Sequence, residues 1–164
     1  MTISGKKIIF SILLILLVVW QPLITVVAEE NLTFKNEFIN PGSFYYTFKR
    51  LLEKGQERLQ FSRQSKITFY QSQLKTRLAE LNYVVEHKLL SEVQTSSERF
   101  AYYAGILTGE LVKDNKDKAK VIKEFEQFSK FLEKLRDKYP ANTSFWMLVQ
   151  HDINTLKILS DTLK

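Results

Sequence analysis

Residues 67–85 read ITFYQSQLKTRLAELNYVV, and the fold is decided there. Ile67, Tyr70, Leu74, Leu78, Leu81 and Val85 recur three and four apart, the period that lays apolar side chains along one face of an α-helix. Ser62 stands ahead of this run. Its hydroxyl can accept a hydrogen bond from an unpaired backbone N–H, so the helix is expected to start there. The same period continues outward in both directions. Upstream, Phe44, Phe48, Leu51, Leu52 and Leu59 form a stripe over about residues 43–59, with Gly55 inside it as a place where a second helix can approach closely. Downstream, Val93, Phe100, Ala104, Leu107 and Leu111 make a third stripe. Ile122, Phe125, Phe128, Leu132, Leu135 and Tyr139 make a fourth, with Asp114 or Asn115 as its cap and Pro140 as its stop. Phe145, Val149, Ile153, Leu156 and Leu163 make a fifth, within residues 142–164.

Short connections between amphipathic stripes favour antiparallel neighbours around one shared core. The expected fold is therefore all-α: an antiparallel bundle of about five helices over residues 43–164. It follows a linker at 29–42 and an N-terminal targeting helix. Composition agrees, since five Gly and three Pro in 164 residues are too few for the many turns of a sandwich or barrel. Nineteen of the 21 aromatic residues lie beyond residue 28, mostly on these stripes, and are read as core. The absence of cysteine excludes a disulfide scaffold and any Cys-ligated metal or thiol nucleophile.

The first 28 residues read as a targeting segment. Lys6 and Lys7 precede the apolar run Ile8–Trp20, Gln21-Pro22 interrupts it, and Val26-Val27-Ala28 precedes Glu29-Glu30. A basic start, an apolar middle and small residues before a cleavage point define a secretory signal. The 21 residues from Ile8 to Ala28 are also long enough to cross a bilayer of roughly 30 Å, so an N-terminal anchor is the rival reading. Cleavage is favoured because Val26 and Ala28 occupy the −3 and −1 positions. Either way Lys6 and Lys7 stay inside and the remainder is exported. That remainder keeps 22 basic and 18 acidic side chains, net +4, a mild bias toward anionic envelope polymers or lipid head groups. Nucleic acid is not an expected partner of an exported chain.

Within the stripes, charged residues also fall at helical spacing. Lys49 and Glu53 are four apart and Arg77 and Glu80 three apart, so each pair can meet on a helix surface. A stronger arrangement has Arg77 crossing to Glu53 and pinning the first helix on the second, with the bidentate geometry that Arg and carboxylate favour.

The run Pro41-Gly42-Ser43-Phe44-Tyr45-Tyr46-Thr47-Phe48-Lys49-Arg50 with Glu53 after it, the step Phe61-Ser62, and Arg77-Leu78-Ala79-Glu80 together resemble a known family. It is a bacterial exported helical family catalogued as domain of unknown function 5667. The likeness spans about residues 41–112, and Thr47 stands where that family's pattern has Pro. The resemblance implies an all-helical domain on the envelope side of a bacterial membrane. It implies no activity.

The residues available for catalysis are few. His87 and His151 are the only imidazoles, and neither is preceded three residues earlier by Glu as in di-iron bundles. His151 and Asp152 adjoin in sequence, so on a helix they diverge by about 100°. No nucleophile elbow, phosphate-binding glycine loop or zinc-protease motif is present. No enzyme activity, cofactor or metal is expected.

Two surfaces are candidates for binding. Ala101, Gly105 and Gly109 place small residues four apart on the third helix. They are read as a close-packing line for a neighbouring helix, with a groove for a ligand or partner helix as the functional alternative. Lys113, Lys116, Lys118, Lys120 and Lys123 crowd a stretch of local charge +3, suited to an anionic polymer or membrane surface. Lysines at a helix start oppose the macrodipole, so they do not stabilise the helix they open. The expected function is a non-catalytic, envelope-associated module binding a protein or surface polymer. The alternative is a carrier of a small apolar ligand in an aromatic-lined groove between helices.

Overall fold

The structure, a computed structural model, describes residues 39–113 and 117–164. The targeting segment and most of the expected linker lie outside the described residues, as do Asp114, Asn115 and Lys116. Five helices make up the described chain: α1 Tyr46–Arg58, α2 Arg63–Glu86, α3 Leu90–Val112, α4 Lys118–Arg136 and α5 Ser144–Leu163. The fold is an all-α bundle, with no strand among the described residues.

Local chemistry sets the helix ends. Ser62 caps α2 as its position suggested, accepting from the Ser65 N–H at 3.1 Å. Thr143 does the same for α5 through the Trp146 N–H at 3.3 Å. The cap of α4 is Asp117, not Asp114 or Asn115. Asp117 stands in the left-handed region at φ 66 and makes no side-chain cap, so the lysines of the first turn meet an uncompensated helix N-terminus. Arg136 ends α4 four residues before Pro140, and Tyr139 belongs to the following turn, its ring against Phe145 at 5.5 Å.

The stripes of α2 and α3 are buried along their full length, and those of α4 and α5 along most of theirs. Leu74, Leu78, Leu81, Phe100, Leu107, Phe125, Phe128, Leu132, Val149 and Leu156 belong to one continuous core. On α4, Val121 is buried, while Ile122 only flanks the core. Packing refines the expected order. α2 lies on α3 and α4 on α5, and α5 rather than α4 is the second neighbour of α3. One end of the bundle gathers the start of α2, the end of α3 and the start of α4. There Arg63 Nη1 donates to the Lys113 carbonyl at 3.3 Å and Gln64 Nε2 to Asp117 Oδ2 at 3.4 Å. At the other end Lys138, just after α4, pairs with Glu86 at the end of α2, so α2 and α4 run in the same direction.

The expected packing of the first stripe is overturned. Phe44, Phe48, Leu51, Leu52 and Leu59 do not enter the core; their exposures run from 54% to 92%. Gly55 receives no close helix, since an added Cβ would meet nothing within 4 Å. The reason is that α1 lies on the bundle by its charged face.

Candidate functional site

The chain enters α1 through a tight turn. Pro41 is buried, Gly42 takes φ 86, a conformation that L side chains rarely adopt, and the Ser43 N–H donates to the Asn40 carbonyl at 3.2 Å. This turn sets the rotation of α1 so that Tyr46, Lys49, Arg50, Glu53 and Glu57, spaced three and four apart, all face inward. They meet a second polar stripe on α2 made of Gln73, Arg77 and Glu80.

Arg77, fully buried, is the hub. Its Nη2 donates to Glu53 Oε1 at 2.5 Å and Gln73 Oε1 at 2.9 Å, and its Nη1 to Glu80 Oε2 at 2.7 Å and the Tyr46 hydroxyl at 3.0 Å. Arg77 thus does cross to Glu53. It forks over two carboxylates instead of gripping one bidentately, because Glu53 and Glu80 approach from different helices. The Arg77–Glu80 pair is buried, not superficial. The expected Lys49–Glu53 pair is replaced: Lys49 Nζ donates to Glu80 Oε1 at 2.9 Å, while Arg50 Nη1 serves Glu53 Oε2 at 3.0 Å. The Tyr46 hydroxyl donates to Glu80 Oε2 at 2.7 Å and accepts from Arg99 Nη1 at 3.1 Å. Burial, reinforced by the Glu80 carboxylate, holds the Tyr46 phenol far above its ordinary range. It stays a donor at any physiological pH. Tyr70, whose hydroxyl donates to Glu57, is pushed up to about 12 by burial and then by that carboxylate.

Chemically this cluster is a clasp. Each oxygen of Glu53 and Glu80 already accepts a charge-assisted hydrogen bond, which leaves neither poised as a general base. Its consequence is on the other side of α1. With the charges clasped inward, Phe44, Phe48, Leu51 and Leu52 form an outward apolar face, which Leu59 and Phe61 extend toward α2. Arg58 is exposed beside it, and Lys54 is half exposed while paired with Glu57.

Gly105 and Gly109 are exposed, and an added Cβ at either would meet nothing within 4 Å. Ala101 is half-buried. The small-residue line is therefore no packing seam among the described residues, because α3 already buries its opposite face, Phe100, Ala104, Leu107 and Leu111. Of the lysine cluster, Lys113 pairs with Glu110 at 3.5 Å, Lys120 and Lys123 are exposed, and Lys118 is half-buried. Lys116 is outside the described residues. His87 ends α2, its ring stacked on Tyr83 at 3.9 Å with Nδ1 2.9 Å from the Tyr83 carbonyl. His151 is exposed and Asp152 buried, the divergence their adjacency required. No group of three His, Asp or Glu side chains able to hold a metal ion occurs among the described residues. The stripe aromatics Phe100, Phe125 and Phe128 are packed inside the core.

The burial of Asp152 goes beyond what its adjacency to His151 suggests. This residue lies on α5 with no exposed surface, and neither carboxylate oxygen has a hydrogen-bond partner of ordinary geometry among the described residues. Burial pushes it up to about 8, an effect offset in part by the Ser97 hydroxyl opposite. The signal was present: Asp152 falls three after Val149 and four before Leu156, in the core stripe itself.

With the geometry in place, comparison with known families is decisive on one point. A family model described as "Domain of unknown function (DUF5667)" matches residues 38–142, well over half of the chain. The chain belongs to that family. The match runs beyond the expected limit near residue 112 and takes in all of α4, leaving α5 outside. No curated protein and no solved structure matches the chain.

Proposed function

We propose that this DUF5667 protein is a non-catalytic interaction module, exported to the envelope side of a membrane, whose contact element is α1. One observation carries the reading: α1 turns Lys49, Arg50 and Glu53 inward and Phe48, Leu51 and Leu52 outward, with Phe44 of the entry turn exposed beside them. An isolated exposed Leu is ordinary on a protein surface, but a contiguous apolar face on one helix marks a site of association. The clasp supports the same role, because it fixes the rotation of α1 without using any of its apolar surface. Export rests on the N-terminal sequence pattern, and the lysine cluster adds an anionic preference at the neighbouring end of the bundle.

The test is the triple variant Phe48→Ser, Leu51→Ser, Leu52→Ser in the full chain. These side chains touch little of the bundle, so helicity and melting temperature stay close to those of the parent, as read by circular dichroism. Association with the envelope fraction of producing cells is expected to fall. Undiminished association would refute α1 as the contact element.

A further inference from the structure

We propose that the outer face of α1 lies on an anionic lipid surface, as an interfacial helix flanked by basic side chains. This rests on the reading of α1 as the contact element and names what it contacts. Three observations converge on lipid. First, the face has the composition of a helix that lies in a membrane interface: Phe and Leu outward, with Lys54 and Arg58 at the margin. Both acids of α1 are engaged, Glu53 on the inner side by Arg77 and Arg50 and Glu57 by Tyr70 and, at the margin, Lys54, so Arg58 leaves the outward charge of α1 positive. Second, the lysine cluster is joined to the same end of the bundle. The Arg63–Lys113 and Gln64–Asp117 hydrogen bonds place the end of α3 and the residue before α4 against the start of α2, two and three residues after the exposed Phe61. Basic residues otherwise unfavourable at the start of α4 thereby stand at the end of the bundle where Phe61 is exposed. Each basic side chain held near an anionic bilayer strengthens binding by about fivefold. Third, the ten residues 29–38 are all that separate the apolar segment 8–28 from the start of the described chain. Retained as an anchor, the rival of the cleaved signal, that segment would tether the described chain to a membrane. No described helix is long and apolar enough to cross a bilayer, and a helix of 13 residues suits lying on one.

The chain has no cysteine, so single labelling sites are clean. The full chain carrying Phe48→Cys or Leu52→Cys, each with an environment-sensitive fluorophore, is reconstituted in phosphatidylcholine vesicles with and without phosphatidylglycerol. Lys130→Cys on α4 is the control. Labels at 48 and 52 are expected to shift to the blue and to be quenched by lipid-borne spin labels on anionic vesicles, while the label at 130 stays aqueous. Replacing Arg58, Lys118 and Lys120 with Gln is expected to abolish the shift at low anionic-lipid content, and these exposed or half-buried changes leave the core intact. Labels at 48 and 52 as water-accessible as the control on anionic vesicles would overturn the lipid assignment. If they are instead protected without lipid, in proportion to protein concentration, a second copy occupies the face; the lipid assignment falls and α1 stands as the contact element. Loss of envelope association in the serine variant, together with water-exposed labels, would also leave α1 standing, with a protein as its partner.

Discussion

Arg77 holds a full charge at no exposure and is balanced by Glu53 and Glu80 in direct contact. Breaking one side of such a cluster strands the opposite charges in a dry site, which costs about 3–5 kcal/mol. Arg77→Met is therefore expected to lower stability in urea by that amount, whereas Arg50→Gln, at the solvent edge, costs about 1 kcal/mol or less. Similar losses for both would show that the clasp is not the buried unit described above. Asp152 makes the opposite case, a buried carboxyl with no opposite charge against it and only the Ser97 hydroxyl nearby. The unfolded carboxyl titrates near 3.8 and the folded one at about 8, so between those values the folded chain holds a proton that the unfolded chain releases. Its contribution to stability is full below the lower value. It falls by at most about 1.4 kcal/mol per pH unit as pH rises, and is level again above the upper value. Asp152→Asn removes this titration. The variant is expected to gain about 2 kcal/mol or more over the parent at pH 8, with a flatter melting profile from pH 5 to 8. Parallel profiles for the two proteins would contradict it.

At the scale of the element, α1 shows what periodicity can and cannot specify. Its apolar stripe was legible, and so were α2 to α5, because a helical period appears in sequence whichever way the face points. What the stripe alone does not encode is direction. The deciding signal lay in the complementary polar stripes, Tyr46, Lys49, Arg50, Glu53 and Glu57 against Gln73, Arg77 and Glu80, of which spacing alone gives the Arg77–Glu53 crossing and the Arg77–Glu80 pair but sets Lys49 on the wrong carboxylate. A face rich in Phe and Leu normally wins burial; here a clasp formed by two carboxylates and several cations is satisfied only if that face turns outward. The glycines of α3 lack a packed neighbour for a related reason. Their spacing suggests close helix packing, but Phe100, Leu107 and Leu111 on the same helix had already claimed the bundle side. Gly105 and Gly109 then weaken an exposed helix without a steric need inside the fold. Gly105→Ala and Gly109→Ala should each raise stability by about 0.5–1 kcal/mol, measured by chemical denaturation. Destabilisation by either would mean that a helix packs there after all.

For the whole molecule, the limits of the family and the limits of the core do not coincide. The family match ends at residue 142, in the turn before α5, yet α5 packs against both α3 and α4. Val149, Leu156 and Leu163 bury their side chains in the core shared with Phe100, Phe125 and Leu132. Removing these three alone forfeits on the order of 5–9 kcal/mol of apolar burial, at about 1.5–3 kcal/mol each. Domains of this size have only about 5–15 kcal/mol in total. A chain ending at residue 142 should therefore retain much of its helix content by far-ultraviolet circular dichroism but lose cooperative melting, and it should bind a hydrophobic dye through the uncovered faces of α3 and α4. The clasp of α1 on α2 involves no residue of α5, so Arg77 and Glu53 cannot compensate for this loss. A sharp two-state transition in the truncated chain would mean that α1 to α4 close a core of their own, and that α5 is an addition to the family's fold instead of the fourth wall of this bundle.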